Sequence, residues 1–287
     1  MSYQMPGPDS MSPPAGPVAI AVAPNGGRRG KSDHPALPVT IGEIAMTASA
    51  CLDAGASMIH AHIRDREGGH LLDAETYRAA IAAIRGAVGD RLVIQVTSEA
   101  LGIYRAAEQM AVVRDVRPEA VSLALRELVP DAGHEGAFAG FLAWLRTENV
   151  TPQIILYSPE EAVRLADMKA RGVVPFSDMP VLYVLGRYAA GQRSSPDDLL
   201  PFLAPGMPRF AHWMVCAFGV QENACVTVGA LLGGHIRVGF ENNLWLPDGS
   251  IAPDNAALVA AAGTAIGASG LPAATADQLR AVWATLR

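Results

Sequence analysis

The sequence predicts a closed (β/α)8 barrel, and three observations carry that prediction. Short apolar runs alternate with longer helical patterns, eight times over from about residue 18. The runs read as strands buried on both faces, which is the mark of a parallel sheet covered by helices. Eight such units in roughly 250 residues is the usual size of this barrel. The alternative is an open doubly wound sheet, which usually carries a G-x-G-x-x-G loop after its first strand. Here the first strand runs into PNGGRRGKSDHP, which has glycines but opens no helix with that motif.

The strand candidates are VAIAVAP (18–24), SMIHAHI (57–63), RLVIQVTS (91–98), AVSLAL (120–125), TPQIILYS (151–158), MPVLYVLG (179–186), RFAHWMVCAF (209–218) and HIRVGFEN (235–242). Between the first two, Thr40 and Glu43 form a capping-box pattern at a helix start, and Gly55 closes that helix. Asp73 is the expected cap of the next helix. Further helices are expected at about 104–115, 134–148, 159–171, 196–203, 220–232 and 253–268. Ser158 before PEEA and Ser195 before PDD read as caps.

Composition narrows the partners. A net charge of −6 with one short basic cluster, GGRRGK at 26–31, argues against nucleic acid. No apolar run approaches the ~20 residues of a membrane span. The three cysteines have no close spacing, so reduced thiols and a cytoplasmic location are expected. Residues 1–17, rich in Pro, Ser and Gly, read as a disordered tail, and 18–287 as a single barrel domain.

The chemistry concentrates at strand ends. Strand side chains alternate faces, so in IHAHI both His60 and His62 point one way, toward the barrel interior near its catalytic rim. Taken alone, the pair serves equally as metal ligands or as hydrogen-bonded polar residues. The last strand shifts the balance. The same period places His235, Arg237, Gly239 and Glu241 on one face, and barrel closure brings that strand end near the histidines. Two His and one carboxylate make a catalytic metal set with an open position. The competing reading is an Arg237–Glu241 ion pair. Asn25, Gln95, Thr97, Ser98, Ser122, Tyr157 and Arg187 also lie at or near strand ends, each able to bind substrate or to cap a helix. His34, His70, His134 and His212 have no comparable partner and read as surface or packing residues. Asp65 is expected to hold Arg64 or shape the turn after it.

Several longer stretches carry a resemblance. DHPALPVT, AGASMIHAHIRDREGG, GGHIRVGFENNLWLPDG, APDNAALV, VLGRYAAGQ and LPAAT together resemble the β-keto acid cleavage enzyme family, whose founding activity is 3-keto-5-aminohexanoate cleavage. The resemblance covers most of the chain from about residue 18. It implies the barrel fold, Zn²⁺ (or another divalent transition metal) on His60, His62 and Glu241, and a tetramer. It implies conversion of a β-keto acid plus acetyl-CoA into acetoacetate plus a new acyl-CoA. It also implies that Arg237 stands beside the reacting centre and that Thr97 and Ser122 line the substrate pocket.

This sequence departs from the family pattern at three places. Asn242 stands where an aspartate base usually follows the glutamate ligand, and an amide accepts no proton at neutral pH. The basic GGRRGK replaces an acidic residue after the first strand. Gln153 and Ile155 replace two carboxylates of the amine-substrate enzyme. A substrate without an ammonium group is therefore expected, with Arg28 or Arg29 suited to a neutral or acidic tail. Asn242 also leaves open a CoA-independent, metal-dependent C–C lyase or hydrolase on the same barrel.

Overall fold

The computed structural model describes residues 16–286. Of the expected tail, residues 1–15 lie outside the described residues. Among the described residues ten strands form: β1 Ile20–Val22, β2 Met58–Ala61, β3 Ile63–Arg64, β4 His70–Leu71, β5 Val93–Thr97, β6 Ala120–Ala124, β7 Thr151–Leu156, β8 Val181–Leu185, β9 Trp213–Ala217 and β10 His235–Val238. Eight of them close into a barrel in the order β1-β10-β9-β8-β7-β6-β5-β2, and every pairing is parallel. The expected (β/α)8 architecture is what the chain forms.

The helices are α1 Ile41–Asp53, α2 Ala74–Val88, α3 Ala106–Val116, α4 Leu125–Leu128, α5 Glu135–Thr147, α6 Pro159–Ala170, α7 Leu200–Leu203, α8 Glu222–Leu231, α9 Asn255–Ala268 and α10 Ala276–Ala284. The capping signals act as expected in α1 and α2. The Glu43 amide donates to Thr40 Oγ1 at 3.3 Å, and Glu43 Oε2 accepts from the Thr40 amide at 3.0 Å. The Thr76 amide donates to Asp73 at 2.8 Å. Such caps satisfy amides that have no partner inside the helix.

Four local expectations are corrected. The 57–63 run is not one strand: β2 stops at Ala61, and Ile63–Arg64 turns away to pair antiparallel with His70–Leu71. The helix expected over 196–203 splits into a 3-10 turn at Pro196–Leu199 and the short α7. Ser158 sits at the N-cap of α6 but makes no capping hydrogen bond; Glu161 Oε2 instead accepts from the Tyr157 amide at 2.6 Å. The helix α10 was not anticipated.

The core has two layers. Outward-facing strand residues such as Ile20, Ile59, Ile94, Val121, Ile154, Val215 and Ile236 pack under the helices. Their alternates, including Ala19, Ala21, Met58, Val93, Leu182 and Met214, fill the barrel interior. Leu279 and Trp283 of α10 join that inner cluster, so this helix closes the N-terminal end of the barrel. The three cysteines are buried free thiols. No helix among the described residues is long and apolar enough to cross a membrane.

A candidate metal centre at the C-terminal end of the barrel

Strand register builds the site. β2 lies between β1 and β5, which pairs His60 with Gln95. One strand further, Thr97 pairs with Ser122. Across the seam, β1 pairs with β10 and sets Ala21 beside Arg237. These buried residues therefore come from neighbouring strands that are far apart in sequence.

His60 and His62 do converge. Their Nε2 atoms are 3.1 Å apart, although His62 lies just past the end of β2. Asn25 holds His62 there, because its Nδ2 donates to the His62 carbonyl at 3.0 Å and its Oδ1 accepts from the His62 amide at 3.3 Å. Glu241 arrives by a different route from the one expected. β10 ends at Val238, and Gly239 turns the chain at φ 137°. A Cβ at Gly239 would lie 2.4 Å from the Ala23 carbonyl oxygen, so only glycine permits this approach. The turn, not strand alternation, carries the Glu241 carboxylate inward. Its Oε2 lies 3.5 Å from His60 Nε2 and 3.3 Å from His62 Nε2.

These three atoms fit a metal ion. Ligand bonds of ~2.0–2.1 Å in a tetrahedron require ligand atoms about 3.3 Å apart. The spacings of 3.1, 3.5 and 3.3 Å match that edge. His60 Nδ1 lies 2.8 Å from Gln95 Oε1, which places the ring proton on Nδ1 and leaves Nε2 as a lone pair toward the site. Burial lowers the His60 pKa to about 3, so the ring is neutral at pH 7. Burial also pushes the Glu241 carboxyl up, but the adjacent Arg237 guanidinium outweighs it and holds the carboxyl well below the usual carboxylate range. The ion pair considered as an alternative exists alongside this set: Arg237 Nη2 donates to Glu241 Oε1 at 3.0 Å, leaving Oε2 without a hydrogen bond among the described residues.

A cavity adjoins the triad, bordered by Thr97, Glu99, Ser122, Tyr157, Arg187 and Arg237. Ser122 Oγ and Arg237 Nε, from residues on its wall, are buried without hydrogen-bond partners among the described residues. Unmatched polar atoms of that kind are costly unless a ligand meets them. A second cavity shares Glu99, Arg187 and Glu241 and adds Arg28 and Arg29. Arg28 is exposed, while Arg29 Nη1 donates to the Phe240 carbonyl at 2.5 Å. Asn242 is fully buried, borders neither cavity, and points its Nδ2 at Cys216 Sγ, 3.9 Å away.

A model of the beta-keto acid cleavage enzyme family matches residues 17–284. The chain belongs to this family. Among similar members, a 3-keto-5-aminohexanoate cleavage enzyme of Acetoanaerobium sticklandii is 28% identical over 92% of this chain and 97% of its own length. One of Fusobacterium nucleatum is also 28% identical, over 84% and 88% of the two chains. A 3-oxoadipate:acetyl-CoA acetyltransferase of Cupriavidus necator is 26% identical over 93% and 94%. Among solved structures, ObcA in ternary complex with a C4-CoA adduct and oxalate superimposes with a TM-score of 0.66 at 17% identity, covering 87% of this chain and 68% of that one. That likeness is one of fold.

Around the candidate site, three residues take roles that the sequence does not reveal. Glu99 borders both cavities, with Oε2 3.8 Å from His62 Nδ1. Gln153 accepts from Gln95 Nε2 at 3.1 Å and so backs the His60 contact. Glu222 is buried behind the Glu241 turn, accepting from the Gly239 amide and from Asn243 Nδ2, both at 3.2 Å. Two histidines also read differently from expectation. His70 packs its ring 5.6 Å from that of His62, and Nε2 donates to the Glu99 carbonyl at 2.7 Å. His212 pairs with His235, Nε2 to Nε2, at 3.1 Å. Asp65 shapes its turn by accepting from the Glu67 and Gly69 amides, while Arg64 is held by backbone carbonyls of Gly26 and Gly68.

Proposed function

We propose that this β-keto acid cleavage enzyme is metal-dependent and uses acetyl-CoA. It would take R–CO–CH2–COO⁻ and CH3–CO–S–CoA to acetoacetate and R–CO–S–CoA. The observation that carries this reading is the triangle of His60, His62 and Glu241, set beside Arg237 in a cavity with unmatched polar atoms. The relatives named for 3-oxoadipate and for 3,5-dioxohexanoate transfer with acetyl-CoA support the co-substrate. Zn²⁺ is the favoured ion, and Fe, Mn or Co also suit two imidazoles and a carboxylate.

A divalent ion held there would act as a Lewis acid toward the keto and carboxylate oxygens of the substrate. The chain's own groups do the rest. Arg237, kept charged by Glu241 and its other neighbours despite burial, faces the negative charge that develops when C2 loses a proton. Ser122 and Thr97 offer hydroxyls that orient the substrate. Asn242 cannot accept the proton, and it lies off the cavity wall. Glu99 is the carboxylate besides Glu241 on that wall, so the role of proton acceptor falls to it. The C2 carbanion then forms a C–C bond to the acetyl carbonyl carbon, and the thiolate departs. That thiolate adds to the former keto carbon, cleavage of the C2–C3 bond releases the acyl-CoA, and the carbanion left at C2 takes its proton back from Glu99 to give acetoacetate. Arg28 and Arg29 favour a second carboxylate on the tail R, in place of an ammonium group.

Incubating the metal-loaded protein with a panel of β-keto acids, with and without acetyl-CoA, tests the reading. Acetoacetate formed only with acetyl-CoA supports it. Product formed equally well without CoA would favour a CoA-independent lyase or hydrolase. The subunit arrangement is proposed to be a tetramer in the cytoplasm, which light scattering and cell fractionation check.

A further inference from the structure

Glu99 stands on the loop that follows β5, and the backbone of that loop is held at each position from 98 to 100. The Ser98 carbonyl accepts from Gln109 Nε2 at 2.5 Å. The Glu99 amide donates to Thr97 Oγ1 at 3.0 Å, and the Glu99 carbonyl accepts from His70 Nε2 at 2.7 Å. The Ala100 amide donates to Glu127 Oε2 at 2.8 Å. Gln109 Nε2 donates to the same oxygen at 2.9 Å, so one carboxylate oxygen from α4 gathers both ends of the loop.

A glutamate is a costly residue for that task. Glu127 is half-buried, forms no ion pair among the described residues, and has neutral amides as its hydrogen-bond partners. Burial raises its carboxyl pKa, and the charge of nearby Glu99 raises it further. A glutamine would accept the same two hydrogen bonds without that penalty. It would lack the negative charge behind Glu99. On the other side of Glu99 the chain leaves space. A Cβ at Gly27 would crowd Glu99 Oε2 and His70 Nδ1, each 3.2 Å away, so the bare glycine gives the carboxylate its place. Oε2 lies there 3.8 Å from His62 Nδ1, on the wall of the triad cavity.

We propose that Glu127 is the positioning residue for Glu99: its Oε2 fixes the loop that carries Glu99, and its negative charge repels the Glu99 carboxylate toward the bound substrate. Glu127 borders neither cavity, so it acts through Glu99 and not on the substrate. Like charges a few ångströms apart at a protein surface repel strongly enough to set which way a flexible carboxylate points. The proposal rests on the reading of Glu99 as proton acceptor, and backbone exchange tests the anchor separately from that reading.

The full-length, metal-loaded protein is compared as wild type, Glu127→Ala, Glu127→Gln and Glu99→Gln. Two rates are read: deuterium uptake by the backbone of residues 98–104, and exchange of the acetoacetate C2 hydrogens into deuterated water, followed by NMR. Acetoacetate is the probe because it is the proposed product whatever the tail. Glu127→Ala is expected to speed backbone uptake and to slow C2 exchange about a hundredfold with KM near wild type, as for a misplaced catalytic group. Glu127→Gln should keep wild-type backbone uptake and slow C2 exchange about tenfold, the effect of one nearby charge. Adding Glu127→Ala to Glu99→Gln should slow exchange little further, because both act on one step. Unchanged backbone uptake in Glu127→Ala, wild-type C2 exchange in both Glu127 variants, or a full further loss in the double variant overturns the proposal. If Glu99→Gln exchanges acetoacetate as fast as wild type, the base reading falls instead, and the backbone uptake alone decides the anchor.

Discussion

Gln95 Oε1 lies 2.8 Å from His60 Nδ1, and this contact selects which imidazole nitrogen faces the other two candidate ligands. Behind it, Gln153 accepts from Gln95 and reaches Met214 Sδ at 3.8 Å, so the contact is braced across the barrel. Removing such a partner typically weakens metal binding ~10–100-fold. Gln95→Leu is therefore expected to lower affinity by that range in a chelator competition, while His60→Ala and Glu241→Ala lose the ion altogether. Full metal content in either ligand variant would sink the assignment.

Proton abstraction supplies a second measurement. Glu99→Gln keeps the shape of the side chain and removes its basicity. Exchange of the substrate C2 hydrogens into deuterated water, followed by NMR, should slow ~10²–10⁴-fold. Exchange at the wild-type rate would assign the step to another group.

Substrate choice depends on Arg28 and Arg29. For a β-keto dicarboxylate, KM should rise about tenfold in the double alanine variant, as expected for loss of a charge-assisted contact. A β-keto monocarboxylate of similar length should show a much smaller change. Equal effects on both would mean that the arginines do not read the tail.

Glu222 predicts an alkaline weakness. Its burial raises the carboxyl pKa to about 8. An unfolded glutamate loses its proton near pH 4.5, so the unfolded state is favoured progressively as pH rises from there to about 8. Glu222→Gln removes that titration while leaving an amide of the same shape. The variant is expected to gain stability relative to wild type across this window, on the order of a few kcal/mol by pH 8. Chemical denaturation at pH 5 and pH 8 checks it; a constant difference at the two pH values would refute the linkage.

The His212–His235 pair predicts the opposite slope in acid. The Ala19 amide donates to His235 Nδ1 at 3.0 Å, so the His235 proton sits on Nε2 and is donated to His212. Burial lowers these pKa values to about 3 for His212 and about 4 for His235. Unfolded imidazoles protonate near pH 6.5, so stability falls as pH drops from 6.5 toward those values. His212→Gln should flatten part of that fall in thermal melts between pH 6.5 and 4. An unchanged slope would show that the pair titrates no differently when unfolded.

The sequence was most legible where local rules decide. Thr40 and Asp73 announced their helices because capping is a matter of a few neighbouring residues. His60 and His62 could be placed on one face from strand alternation. Glu241 was found for a reason only partly right: adjacency of the first and last strands holds, but the strand ends at Val238 and a glycine turn completes the approach. Glu222 left no local signal, because its partner lies 17 residues away, and Gln153, legible as a departure from the family pattern, gave no sign of its contact with Gln95, 58 residues away. The His212–His235 contact could have been anticipated, since both residues stand at the starts of adjacent strands. The helix α10 was missed because its apolar residues, Leu279 and Trp283, make sense only against the barrel floor they cover.

That floor has a kinetic consequence. With the interior filled by Met58, Val93 and Met214 and closed below by Trp283, every molecule must enter and leave by the same rim. Two substrates and two products would then share one corridor, and whichever stays longest blocks the next turnover. Departure would then set the pace as much as bond making, and an acyl thioester product slow to leave would act as a built-in brake.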